Sequence, residues 1–198
     1  TNKALEFDID EYVEVADSDG LSFGNGITDS PFSISLWVRK EIVGTVDFIG
    51  KFEAPLSFEY EIFATAANLA FTCDDASNGK WIGRLHEISL SQNVWYHIVG
   101  TYDGSGASSG FRIHLDGIRV DSENYESGGY VAMENTTGPF TIGGIANLGG
   151  CSVDNVMIFD RVLSDQEITN LYNSGKGTEA TLYCSRNSPY SFSRNILR

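Results

Sequence analysis

The sequence predicts an all-β fold: a two-sheet antiparallel jelly-roll sandwich with one short C-terminal helix. Three observations lead there. Apolar residues alternate with polar ones along most of the chain, the two-residue period of a half-buried strand. Glycine is abundant at 21 residues and proline scarce at 4, which suits many short strands joined by tight turns. A helical period is well signalled at one place only, near the C-terminus.

Along Phe32-Ser33-Ile34-Ser35-Leu36-Trp37-Val38, residues Phe32, Ile34, Leu36 and Val38 share one face. Val94-Trp95-Tyr96-His97-Ile98-Val99 is a nearly continuous apolar and aromatic run, the pattern of a central strand. Phe111, Ile113 and Leu115 alternate with Arg112, His114 and Asp116, and Asp116-Gly117 then reverses the chain into Ile118-Arg119-Val120. Further strands are expected near 4–15, 46–51, 57–64, 68–73, 85–90, 139–144 and 152–160. Gly104–Gly110 reads as a flexible Gly/Ser loop, and 122–138 as a longer surface loop. Ser164-Asp165-Gln166-Glu167 is a capping box, followed by Ile168, Leu171 and Tyr172 at helical spacing, with Gly175 placed to end the helix.

At 198 residues the chain fits one domain, and 41% hydrophobic residues supply a core without staples. The domain is expected over 1–184, with a polar tail from Ser185 to Arg198. Such a tail frays unless something holds it, so it is expected to clamp on the domain or on a neighbouring subunit of a larger assembly. The formal net charge of −14 repels phosphate backbones and anionic membrane surfaces, which argues against nucleic acid. No run approaches the roughly 20 apolar residues that span a bilayer, so membrane insertion is not expected. The opening Thr1-Asn2-Lys3 enters a strand at once, and no signal peptide is expected; a complete unsecreted polypeptide and a mature secreted one fit equally. Cys73, Cys151 and Cys184 are odd in number and far apart, which argues against a disulfide framework but leaves one pair with a free thiol open.

Several segments together resemble the laminin-G-like domains of the concanavalin-A-like lectin/glucanase jelly-roll superfamily. Ala4–Val15 resembles their opening strand, Phe32–Val38 the next core strand, and Val94–Gly104 the central aromatic strand. Leu115-Asp116-Gly117 is similar to their hairpin, and Val153–Ser164 to their closing strand and cap. The ordered set covers about residues 4–175. The resemblance implies two antiparallel sheets, the concave one often lined for a ligand. It also implies a structural calcium where first and last strands meet, for which Asp154 matches the closing-strand Asp and Asp8 and Asp19 are expected contributors, since calcium takes six to eight oxygens. It names no ligand, because this fold carries enzymes, lectins and adhesion modules alike.

For binding, exposed aromatic faces are the natural partners of sugar rings. Trp81, Tyr125 and Tyr130 are the candidates, with Asp74, Asp75 and Asn78 as hydrogen-bonding partners. Trp37 and Trp95, inside apolar strands, are expected in the core. For catalysis, Glu6-Phe7-Asp8-Ile9-Asp10-Glu11 superficially matches the acid motif of jelly-roll glycoside hydrolases, which need two carboxylates about 5–5.5 Å apart in a cleft. Here the motif opens the domain, with Leu5, Phe7 and Ile9 expected inward and the acids in solvent. His86, His97 and His114 sit on separate strands without metal-ligand spacing. The expectation is a non-catalytic module that recognises a surface glycan or protein partner, placed extracellularly or on a virion surface. A decoration or fibre protein of a phage or virus particle is the alternative, and a glycoside hydrolase ranks below both.

Overall fold

A computed structural model describes residues 4–53, 57–144, 149–177 and 190–192. Its strands are β1 (Leu5–Phe7), β2 (Tyr12–Val15), β3 (Phe32–Lys40), β4 (Val46–Glu53), β5 (Ser57–Ala64), β6 (Asn68–Asp75) and β7 (Lys80–Glu87). There follow β8 (Trp95–Tyr102), β9 (Phe111–Leu115), β10 (Ile118–Arg119), β11 (Glu123–Asn124), β12 (Phe140–Gly143), β13 (Cys151–Phe159) and β14 (Tyr190–Phe192). One helix, α1 (Asp165–Tyr172), follows β13.

The strands form two antiparallel sheets. The first runs β1-β13-β3-β8-β9-β10, with β14 also on β13; the second runs β11-β7-β6-β5-β4-β12-β2. Alternation decides what lies between them. Phe32, Ile34, Leu36 and Val38 from β3 meet Tyr60, Ile62, Leu69, Phe71 and Cys73 from the second sheet in one buried core. Gly100 on β8 lets the sheets close there, since a Cβ would sit 2.7 Å from the Phe71 ring. Helix α1 lies over the outer face of the first sheet, where Ile168 and Leu163 bury Val99. Its capping box is present, Ser164 accepting from the Glu167 N–H and Glu167 reaching back.

Several expected boundaries move for physical reasons. The strand expected over 4–15 breaks in two, because Asp10 takes φ 71° in a turn closed by the Glu11 N–H on the Asp8 carbonyl. The halves join different sheets, and Ile9, expected inward, is 58% exposed on the turn. The strand expected near 85–90 begins at Lys80, because Asp75–Gly79 makes a tight hairpin from β6. The helix ends at Asn173 in the left-handed region at φ 48° rather than at Gly175. The Gly104–Gly110 loop is pinned: Gly106 N–H donates to the Tyr102 hydroxyl, Ser105 N–H to Asp103, and Ser108 is buried. Trp37 and Trp95 are not core residues; both lie partly exposed on the outer face of the first sheet. Cys73 and Cys151 are buried thiols, and Cys184 lies outside the described residues. So does the expected tail, except that 190–192 pair with β13.

The segment from Asn124 to Phe140 crosses one mouth of the sandwich with almost no strand of its own. Three of its backbone donors, those of Val131, Met133 and Thr136, are met by acids. Asp29 accepts from the Met133 N–H and from the hydroxyls of Tyr102 and Tyr130. Asp75 accepts from the Val131 N–H, and Glu59 from the Thr136 N–H and hydroxyl. Lys51, fully buried, donates to Glu59 at 2.8 Å and to the carbonyls of Thr136 and Gly138 at 3.1 and 2.9 Å, and pairs with Asp17 at 2.8 Å. Removing one partner of a buried pair leaves the other charge uncompensated, at a cost of about 3–5 kcal/mol. Urea denaturation of Lys51→Met is expected to show a loss of that size; a loss below about 1 kcal/mol would mean that the network does not hold the mouth closed.

Candidate functional site

The outer face of the second sheet carries a band of polar side chains that alternation lifts out of the core. Phe71 and Cys73 point inward, so Thr72 and Asp74 point outward, and Glu61 does so between Tyr60 and Ile62. Register lines these up: Thr141 pairs with Gly50, Gly50 with Glu61, Glu61 with Thr72, and Thr72 with Gly83. The row thus runs across β12, β4, β5, β6 and β7, with glycine at two of its five places. One step along, Asp74 pairs with Trp81, so the carboxylate and the indole share this face.

Tyr125 completes that end. After β11 the chain continues along β7, the Tyr125 N–H donating to the Gly83 carbonyl at 3.0 Å and the Ser127 N–H to that of Trp81 at 3.1 Å. This sets the Tyr125 ring 6.1 Å from the Trp81 ring, tilted by 41°. Tyr125 is 37% exposed, and Trp81 and Asp74 are half-buried. Trp81 Nε1, a donor, and Asp74 Oδ2, an acceptor, are buried atoms without a hydrogen-bond partner among the described residues. Thr141 Oγ1 on the same face is another. Buried polar atoms are rarely left so, and each such case calls for an explanation.

Burial shapes the charges here. It pushes the Asp74 and Asp47 carboxyls up to about 7. It pushes Glu61 up to about 8, with the charges of Asp47 and Asp74 adding to the shift. Desolvation disfavours the charged form, and neighbouring acids disfavour it further. The face is therefore only partly ionised at neutral pH.

Of the six expected binding residues, the structure brings together Trp81, Tyr125 and Asp74. Asp75 lies on the opposite face, where it accepts both Asn78 amide bonds at 2.9 Å and holds the β6–β7 turn. Tyr130 donates to Asp29 at 2.7 Å within the closed mouth. These three residues are structural. Glu61 and Asp47 escaped the sequence reading, although acids at alternate places in Phe58-Glu59-Tyr60-Glu61-Ile62 are a legible signal that one face is polar.

The expected calcium ligands are not gathered. Phe7 pairs with Cys151 and Leu5 with Val153, so Asp8 and Asp154 lie beyond opposite ends of β1. Asp19 accepts from the Asn135 amide at 3.1 Å, near the mouth. Among the described residues no group of three or more His, Cys, Asp or Glu is placed to hold a metal ion. The acid motif is likewise dispersed on the surface: Glu6 pairs with Arg39, Glu11 accepts from the Asp8 N–H, and Asp10 is exposed in the turn.

Fold and site together define a jelly-roll sandwich with a polar, aromatic-edged outer sheet face. A family model for the concanavalin A-like lectin/glucanases superfamily matches residues 7–169, and the chain belongs to that superfamily. No curated protein matches it significantly. Solved structures share the fold at low identity. The binding domain of botulinum neurotoxin serotype D is 13% identical at a TM-score of 0.62, covering 86% of this chain and 41% of its own. The binding domain of Paraclostridial Mosquitocidal Protein 1 is 18% identical at 0.61, covering 86% and 42%. A structure of botulinum neurotoxin type C, whose cell entry depends on interaction with two ganglioside molecules, is 18% identical at 0.59, covering 82% and 39%. The chain thus spans about two fifths of the length of these structures. Among the described residues no helix is long and apolar enough to cross a membrane.

The raised carboxyls make a signed prediction. Folded Asp47, Asp74 and Glu61 bind protons that the unfolded chain has released, so their stabilising contribution is full below the ordinary carboxylate range and lost as pH rises through about 7 to 8. His97, pushed down to about 4 by burial and by His114, acts in the other direction, and only below its ordinary value of 6.5. The melting temperature is therefore expected to fall between pH 6.5 and 8, and Asp47→Asn with Glu61→Gln to flatten that slope. An unchanged slope in the double variant would show that these groups are ordinary surface acids.

Proposed function

We propose that this domain is a non-catalytic recognition module that binds a neutral, hydroxyl-rich glycan on the outer face of its second sheet, at Trp81, Tyr125 and Asp74. The observation that carries this is that two cross-strand neighbours, Trp81 and Asp74, each hold a polar side-chain atom without a hydrogen-bond partner among the described residues, beside the Tyr125 ring. Trp81 Nε1 can only donate, and Asp74 Oδ2, when ionised, can only accept. A hydroxyl does both, so sugar hydroxyls are complementary to each of these atoms. The tilted Trp81 and Tyr125 rings present an amphipathic wall to the apolar face of the same sugar. Pyranoses combine these two surfaces within one ring.

Charge narrows the ligand class. The chain's formal net charge of −14 is a field that opposes acidic sugars. The ganglioside interaction of botulinum neurotoxin type C supports glycan recognition on this fold and carries no further than that class. The dispersal of Glu6, Asp8, Asp10 and Glu11 supports recognition over hydrolysis, because glycoside hydrolysis needs two acids facing each other across the bond.

The test is a panel of neutral glycans followed by calorimetry on the best binder. Trp81→Ala and Asp74→Asn are each expected to weaken binding by about tenfold or more, since hydrogen bonds to charged groups contribute roughly 1.5–3 kcal/mol. Affinity is expected to rise from pH 6 to 8 as Asp74 ionises and to lose that dependence in Asp74→Asn. No binding across the panel, or equal affinity in both variants, would overturn the reading.

A further inference from the structure

The outer face of the first sheet holds a second cluster that the Trp81 site does not use. Leu36, Val38 and Ile98 point into the core, so Trp37, Arg39, Trp95 and His97 point away from it. Trp37 pairs with His97 and Arg39 with Trp95, which sets the two indoles as diagonal neighbours on one face. Helix α1 covers only part of this surface. Its last residue, Tyr172, stacks on Trp37 at 5.9 Å and on His97 at 6.0 Å. The Arg39 guanidinium lies 5.6 Å over the Trp95 ring. One side of the cluster is thereby fixed.

The chain after α1 builds a wall on the other side. Asn173 and Ser174 both take left-handed conformations, the Gly177 N–H donates to the Tyr172 carbonyl at 3.2 Å, and the Asn173 amide donates to the Gly177 carbonyl at 2.8 Å. This turn sits close on the indole: a Cβ on Gly177 would lie 3.1 Å from Trp37 Nε1. Opposite it, β13 bulges between Asp154 and Met157, with Asn155 at φ 50°. Between the bulge, the turn and the two indoles is an open pocket of about 230 Å³, lined by Trp37, Trp95, Asp154, Asn155, Lys176 and Gly177.

The lining sets the ligand chemistry. Two partly exposed indoles supply apolar faces. The Asn155 carboxamide and the Lys176 ammonium supply donors and an acceptor beside them, while Asp154 Oδ1 already accepts from the Asn155 N–H at 2.9 Å. Ligand pockets for drug-sized molecules run to roughly 300–1,000 Å³, so this one takes a single small ring rather than an extended chain. An aromatic hydrocarbon would leave the polar groups unmatched, and a bare ion would leave the indoles wet, whereas a sugar ring offers an apolar face and hydroxyls together. We propose that this pocket binds a single pyranose residue, the end of a glycan, and that the domain therefore carries two sugar sites on opposite outer faces of its sandwich. Because the two sites face opposite ways, the arrangement suits linking two separate glycan branches.

The chain's three tryptophans make the test direct, because Trp37 and Trp95 report on this pocket and Trp81 on the other site. The full chain, labelled with nitrogen-15, is titrated with the methyl glycosides of glucose, galactose, mannose and N-acetylglucosamine while the indole N–H resonances are followed. At least one sugar is expected to shift Trp37 and Trp95 together along one saturable curve. Asn155→Gly keeps the left-handed backbone open while removing the amide, and Trp95→Ala removes one ring without touching the α1 contact. Each is expected to weaken that curve at least tenfold and leave the Trp81 resonance in place. Shifts confined to Trp81 would overturn this proposal while sustaining the first site. Shifts of Trp37 and Trp95 that survive both variants would overturn it too, by locating the sugar elsewhere.

Discussion

The fold depends on how one irregular segment is hydrogen-bonded. Between Asn124 and Phe140 the chain must cross a mouth of the sandwich, and a buried connection brings backbone donors that strand pairing does not satisfy. Here carboxylates driven into the interior satisfy them. Asp29 takes Met133, Asp75 takes Val131, and Glu59 takes Thr136, while the Lys51 ammonium balances Glu59 and gathers the carbonyls of Thr136 and Gly138. Glu59 reaches this place because β5 bulges against β4, where Lys51 faces Tyr60 and Phe52 faces Phe58. A regular strand would have turned Glu59 outward.

With the mouth closed in this way, the outer faces of both sheets carry the features that remain. The segment leaving β11 is held along β7, which is what brings Tyr125 to Trp81. On the other sheet, α1 is a short helix anchored by Ile168 and Leu163, and it stops before it covers Trp95. Tyr172 then orders the end of the helix against Trp37. Both candidate sites are built around an indole on an outer sheet face.

Much of this was legible from alternation. Phe32, Ile34, Leu36 and Val38 define the core face of β3, and the same count places Trp37 on the opposite face; reading the strand's overall apolarity hid this. Trp95 was harder. The run Val94–Val99 is apolar on both faces because α1 covers part of the outer one, so no period distinguishes inside from outside there. Tyr130 looked exposed beside Gly128-Gly129, but it packs against the core and donates to Asp29, 101 residues away in sequence. The pairing of Asp74 with Trp81 rests on hairpin register, which Asp75-Ala76-Ser77-Asn78-Gly79 sets through side-chain hydrogen bonds. The chemical type of the site was readable; its membership required the register.

Asp74 and Asp75 show why residue type alone was insufficient. They are consecutive on β6, so alternation sends their carboxyls to opposite faces. Burial opposes the charge on both. For Asp75, bonds from Asn78, Val131 and Ser77 outweigh that cost and hold it below the usual carboxylate range. No such donors offset burial at Asp74, which is pushed up to about 7. A carboxylate whose lone pairs are filled from within the chain is committed to the fold. One that is desolvated and raised, on a face shared with a partnerless indole N–H, is left free of that commitment, which is why the proposed site is centred on Asp74 and not on Asp75.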